Sequence, residues 1–138
     1  MIRPCTPGRA PGDSRLHPGE SRHRLSSTGL IRAGALDIVQ PDASRAGGIS
    51  EGWRTGQLAG EAGLQVATHT WCDAVAVVAN AHVVSALPNG LTVEVDQTGN
   101  PFIDTLLVEP LRVIDGTLTL GDAPGLEAPG LGIELNDS

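Results

Sequence analysis

The stretch LQVATHTWCDAVAVVANAHVVSALPNGLTVEVD, residues 64–96, decides the fold. It opens on a run of small and β-branched residues, LQVATH at 64–69, and closes on another β-like run, LTVEVD at 91–96. Between them, AVAVVANAHVVSAL at 74–87 is apolar on nearly every side and too long for one strand. It is predicted to be a buried helix, with Asp73 as N-cap and the PNG turn at 88–90 leading into the next strand. Asn80 and His82 are its polar exceptions, expected to satisfy local backbone or face a crevice rather than perform chemistry.

Working outward toward the N-terminus, ALDIVQPD at 35–42 reads as a further strand, ended by Pro41, which has no amide hydrogen for a ladder. The loop ASRAGG follows. A helix is predicted from Ser50, as N-cap, to about Ala62, with Gly63 as its C-terminal stop. Gly52, Gly56 and Gly60, four apart, are expected to let this helix lie close against a sheet.

Strand, helix, strand, helix, strand at this spacing is the pattern of parallel βαβ units. Asp42, His69 and Glu94 stand at or near the carboxyl ends of the three strands, separated by 27 and 25 residues. That is about one βα unit each in a fold that spends about 250 residues on eight units. Alternation agrees, since Ile38, Gln40 and Asp42 share one face of their strand, as do Gln65, Ala67 and His69, and Thr92, Glu94 and Asp96. The three ionisable residues are therefore expected to be neighbours. A carboxylate beside an imidazole favours the protonated ring and fixes which nitrogen faces a substrate, while a second acid can donate to developing negative charge. The plainer reading stays open: Asp42 caps the loop, Glu94 pairs with Arg45, and His69 is structural.

At 138 residues the chain holds one modest domain, and with one Phe, two Trp and no Tyr its core must be aliphatic. No apolar run is long enough to span a membrane, and the first twenty residues lack the apolar centre of a secretory signal, so the expected compartment is the cytoplasm. Cys5 and Cys72 do not make a disulfide framework, and Cys72 is expected to be a free buried thiol. The net charge of −7 is unevenly placed. Residues 1–33 carry six Arg against Asp13 and Glu20, a balance of +4, whereas residues 34–138 carry three Arg against fourteen acids, a balance of −11. The acidic body argues against a nucleic-acid partner. The Pro-, Gly- and Arg-rich head, 1–33, shows no helical or strand period and is expected to be disordered or non-homologous. His69 and Cys72 in HTWC lack the second ligand pair of a zinc site, and AGGIS at 46–50 lacks the lysine and full glycine spacing of a phosphate loop.

From about Ala33 to Leu135 the chain resembles the C-terminal part of the mandelate-racemase subgroup of the enolase superfamily, which includes the muconate lactonizing enzymes. The blocks that carry the resemblance are DIVQPDASRAGGISEG at 37–52, VATHTW at 66–71, TVEVD at 92–96 and PGLGIEL at 129–135. The resemblance implies that residues 34–138 are a partial domain: the sixth, seventh and eighth βα units of a modified TIM barrel, with a trailing segment. It also implies that Asp42 and His69 are an Asp–His dyad acting at the carbon next to a substrate carboxylate, and that Glu94 hydrogen-bonds that carboxylate as it becomes an enediolate. In the family, Mg²⁺ on three acidic ligands stabilises that dianion. PGES at 18–21 resembles the end of the fifth strand, making Glu20 a candidate metal ligand. The chain contains no lysine, so no residue here matches the lysine base of many family members, and the resemblance does not extend to the family's capping domain. FIDTLLVEPLRVIDGTLTL, beginning at Phe102, reads as a short helix and a two-stranded excursion around the DG turn at 115–116. The implied lineage is a Mg²⁺-dependent sugar-acid dehydratase, with racemase or cycloisomerase as the alternative and with homo-oligomeric full-length relatives. For these residues alone the expectation is a non-catalytic fragment that does not bind Mg²⁺ and at most associates with complementary barrel pieces.

Overall fold

Three short strands carry the fold because β-branched and small residues run extended until a proline or a polar rim stops them. The structure, a computed structural model, describes residues 24–120 and 130–136. Strand β1 is Ile38–Val39, β2 is Gln65–Thr68 and β3 is Gly90–Val93. They form one sheet in the order β1-β2-β3, with both pairings parallel. Ile38 lies beside Gln65 and Val39 beside Val66, while Thr68 lies beside Val93 after a register irregularity between Val66 and Ala67. The ladder continues past the named strands, because His69 N–H donates to Pro41 O at 3.0 Å and Glu94 N–H to Thr68 O at 3.2 Å. Those two bonds draw the three carboxyl ends into one rim.

Helix α1 (Arg24–Arg32) precedes β1, and helices α2 (Ile49–Glu61) and α3 (Ala74–Ser85) are the crossovers. The core between helices and sheet is aliphatic, as the composition requires: Leu36, Val39, Ala43, Ala59, Val66, Val83 and Leu87 are buried together. Leu30 and Ile31 of α1 pack against this cluster. The structure differs here from the expected head of residues 1–33. A charge-dominated composition averaged over the head hides a short amphipathic turn whose adjacent Leu30 and Ile31 have a core to meet.

Helix α3 starts as predicted, with the Asp73 carboxylate accepting from Ala76 N–H at 2.8 Å. Helix α2 does not, since its N-cap is Gly48, with no side-chain cap bond, and Ser50 lies inside the helix. Gly47 and Gly48, both at φ +99°, bring the chain round early, so that Gly48 O already accepts from Gly52 N–H at 3.0 Å. The C-terminal stop is as expected: Gly63 at φ +72° donates to Gly60 O, and Leu64 N–H donates back to Ala59 O, a Schellman motif. The glycine stripe of α2 faces the C-terminal end of α3 rather than the sheet. A methyl group on Gly56 would collide with Leu87 Cδ1, and one on Gly52 would sit 3.5 Å from Val83.

Beyond β3, helix α4 (Pro101–Asp104) is capped by Asn100, whose side chain accepts from Phe102 N–H at 3.0 Å. The Asn100 amide also donates to Cys72 O at 2.9 Å, tying this loop to the one after His69. Strands β4 (Val113–Ile114) and β5 (Thr117–Leu118) form the expected antiparallel excursion around Asp115 and Gly116. The segment 130–136 returns to pair Leu135 with Leu107.

Candidate active site

Asp42, His69 and Glu94 meet at the carboxyl ends of β1, β2 and β3. Pro41 ends the first strand and leaves Asp42 pointing into the rim, where its side chain is fully buried. His69 Nδ1 lies 3.2 Å from Asp42 Oδ2, and His69 is only 7% exposed. Glu94 is more open, its side chain 44% exposed, and its Oε2 stands 3.9 Å from His69 Nε2. That carboxylate is aimed by Thr70, whose backbone N–H donates to Oε2 at 2.9 Å.

The two oxygens of Asp42 have different company. Oδ1 accepts from Ser44 N–H at 2.9 Å, from the Ser44 hydroxyl at 2.6 Å and from the Asn80 amide at 3.4 Å. Oδ2 faces His69, with Arg45 Nε at 3.7 Å. Burial pushes the Asp42 carboxyl up, but the hydrogen bonds from the Ser44 hydroxyl, His69, the Ser44 amide and Asn80 outweigh it and hold the group below the usual carboxylate value. Asp42 is therefore an anion and can only accept, so His69 Nδ1 carries the shared proton and Nε2 is the nitrogen presented to the rim.

Several of the plainer readings find their answers here. Asp42 does cap its loop through Ser44, and it does so while bonding His69. Arg45 pairs with Asp42 rather than with Glu94. His82 Nε2 meets Leu131 O at 3.2 Å, a backbone-satisfying role. Cys72 is free but exposed, contrary to the buried thiol expected, because it sits past the strand end in a loop that the apolar run no longer covers. Slight burial and the adjacent Asp73 carboxylate push its thiol up, away from nucleophilic use. Ser44 carries no signal in the sequence, and Asn80 is expected there to satisfy local backbone or face a crevice. The available signal was a lone amide inside an otherwise apolar helix.

The magnesium ion that the family resemblance implies does not fit the described residues by themselves. No three His, Cys, Asp or Glu side chains among them converge to hold a metal. Of the two rim carboxylates, Asp42 is saturated by donors and Glu94 is held by Thr70. Glu20 lies outside the described residues. A cavity of about 790 Å³ opens elsewhere, between Val78 of α3 and the trailing segment around Leu111, Ile114 and Ile133, and none of the three rim residues lines it.

Comparison with known proteins identifies the family. The family model for enolase C-terminal domain-like proteins matches residues 18–138. A D-galactarolactone cycloisomerase of Agrobacterium fabrum is 36% identical over 127 residues, covering 86% of this chain and 32% of that protein. An arabinonate dehydratase of Saccharolobus solfataricus is 33% identical over 97 residues, 70% of this chain and 26% of the relative. Among solved structures, a mandelate racemase/muconate lactonizing enzyme of Jannaschia sp. CCS1 superposes with a TM-score of 0.69 at 35% identity, over 83% of this chain and 28% of that one. The chain thus spans between a quarter and a third of the length of these curated relatives. No helix among the described residues is long and apolar enough to cross a membrane. The three parallel strands are the C-terminal βα units of an enolase-type barrel, and the chain belongs to the enolase C-terminal domain-like family, in its mandelate racemase/muconate lactonizing enzyme branch.

Proposed function

We propose that these residues supply the proton-transfer part of a lyase site that dehydrates a sugar acid. The observation that carries this reading is the 3.2 Å contact of His69 Nδ1 with a buried, anionic Asp42, which leaves Nε2 facing the rim beside Glu94. In such a site Nε2 takes the proton from the carbon next to the substrate carboxylate. The C–H electron pair moves into the enediolate, and Glu94, required here as the neutral carboxylic acid, donates its O–H to the substrate carboxylate as charge accumulates there. The enediolate then expels the β-hydroxyl, which leaves as water with the proton that His69 holds, and the enol product tautomerises to a 2-keto acid. Atoms balance and His69 returns to its starting state. Asp42 holds the ring orientation and stabilises the imidazolium between the two transfers.

Cycloisomerisation is the second reading, favoured by the 36% identity to D-galactarolactone cycloisomerase. It uses the same proton abstraction, with a lactone oxygen leaving in place of the hydroxyl. In either reading the described residues need acidic groups from further barrel units to hold a metal, since no three of their own acids, imidazoles and thiols converge on one.

The test replaces the matching third of the A. fabrum cycloisomerase with residues 34–138. Turnover by this chimera should fall about 10²–10⁴-fold in His69→Ala, the range for loss of a general acid–base. Equal turnover with and without His69 would refute the proposed role. In parallel, the 138-residue chain with Mg²⁺ and a panel of sugar acids in deuterated water should show no α-proton exchange. Exchange that vanishes in His69→Ala would show the chain to be catalytically sufficient.

A further inference from the structure

We propose that Asn80 is a positioning residue of the Asp42–His69 pair, reaching from the helix that follows His69 back to the strand end that carries Asp42. The inference rests on the reading of those two residues as the proton-transfer pair and adds what holds them in register.

Asn80 is the only polar residue among the buried positions of α3, and it is fully buried. Both N–H groups and the oxygen of its amide are engaged. Oδ1 accepts from Ala43 N–H at 2.9 Å, and Nδ2 donates to Ala76 O at 3.1 Å and toward Asp42 Oδ1 at 3.4 Å. The orientation of the amide follows from its partners, since a flipped Asn80 would set its oxygen against a carbonyl and a carboxylate and its NH₂ against the Ala43 N–H.

The consequence for Asp42 is an assignment of its two oxygens. Ser44 also binds Oδ1, but Ser44 is two residues along the same loop and moves with it. Asn80 comes from a different element, 38 residues away, and holds both Asp42 and the next backbone N–H through one side chain. With Oδ1 engaged, Oδ2 is the acceptor left for His69 Nδ1. His69 and Asn80 belong to the same βα unit, so strand end and helix together grip the aspartate of the preceding unit.

A merely structural Asn80 would satisfy the buried Ala43 N–H and leave the imidazole indifferent to what stands on the other side of Asp42. The two are distinguished on the 138-residue chain by ¹⁵N NMR of the histidine ring nitrogens, with the His69 signals identified as those missing from His69→Gln. Above the pH range in which imidazoles hold a second proton, the parent should show a single tautomer protonated at Nδ1. Asn80→Asp keeps an acceptor for Ala43 N–H and replaces the donor with a second carboxylate, so that the two acids share a proton and part of the Asp42 charge is lost. The Nδ1–H signature should then give way to a mixture of tautomers. Asn80→Ala, which frees Asp42 Oδ1 on the helix side, should do the same. Ser44→Ala removes the hydroxyl donor but keeps the backbone N–H to Oδ1, and it should keep the single tautomer because Asn80 remains. A folded Asn80→Asp or Asn80→Ala with His69 signals identical to the parent would overturn the proposal, as would loss of the tautomer in Ser44→Ala. No turnover enters this measurement, so failure of the lyase reading and failure of the Asn80 role are separately visible.

Discussion

Asp42 is a buried carboxylate whose hydrogen bonds outweigh its desolvation, and this couples the rim to acid stability. A group held below its unfolded value contributes stability that is fully present above the ordinary carboxylate range and is lost as pH falls through the depressed folded value. Asp42→Asn should therefore flatten the acid limb of a stability-versus-pH curve measured by urea unfolding. Near neutral pH the same substitution should cost about 1–3 kcal/mol, since donors on Ser44 and His69 lose a charged acceptor. A mutant curve parallel to the parent below the carboxylate range would show that Asp42 does not carry this linkage. At this scale the sequence was legible in part. Asp42, His69 and Glu94 could be named from strand-end position and alternation. Ser44 and Asn80 could not be assigned to Asp42, because the choice among donors within a few ångströms is made by side-chain rotamers and by a helix 38 residues away.

At the scale of the elements, local signals served best where a cap and a burial pattern coincide. Asp73 before a largely apolar run marks the start of α3, and Asp73→Ala should lower the stability measured by urea unfolding by about 1 kcal/mol, the usual loss of an N-cap. The start of α2 was legible only to within two residues, because Ser50 is a good cap by type while Gly47 and Gly48 had already turned the chain. The contact of α2 with α3 was not legible, since a stripe of glycines says that something approaches closely without saying what. A sharper test of close approach lies at the entry to β3, where a methyl group on Gly90 would strike the backbone carbonyl of Val84. Because a carbonyl in a helix end cannot rotate away as a side chain tip can, Gly90→Ala should destabilise by about 1–3 kcal/mol, measured by denaturant titration. Loss of less than a few tenths of a kcal/mol would mean that the turn relaxes freely.

For the whole molecule, the acidic balance and the open sheet act together. The net charge of −7 and a pI of about 4.8 make copies repel one another at neutral pH, while β1 and β3 each pair on only one side among the described residues. Light scattering by the 138-residue chain should rise as pH approaches the pI and fall again with distance from it; scattering independent of pH would put the association, if any, outside electrostatic control. The sequence by itself determined the parallel α/β class, the order of its elements and the three residues at the strand ends, because hydrophobic period, caps and proline act over a few neighbouring residues. Only the tertiary structure decided that α1 joins the core, that Cys72 lies open, that the glycines of α2 meet Leu87, and that one oxygen of Asp42 is held by Asn80 while the other faces His69. These depend on strand register and helix packing between residues far apart in the chain, and no local pattern encodes which distant partner arrives.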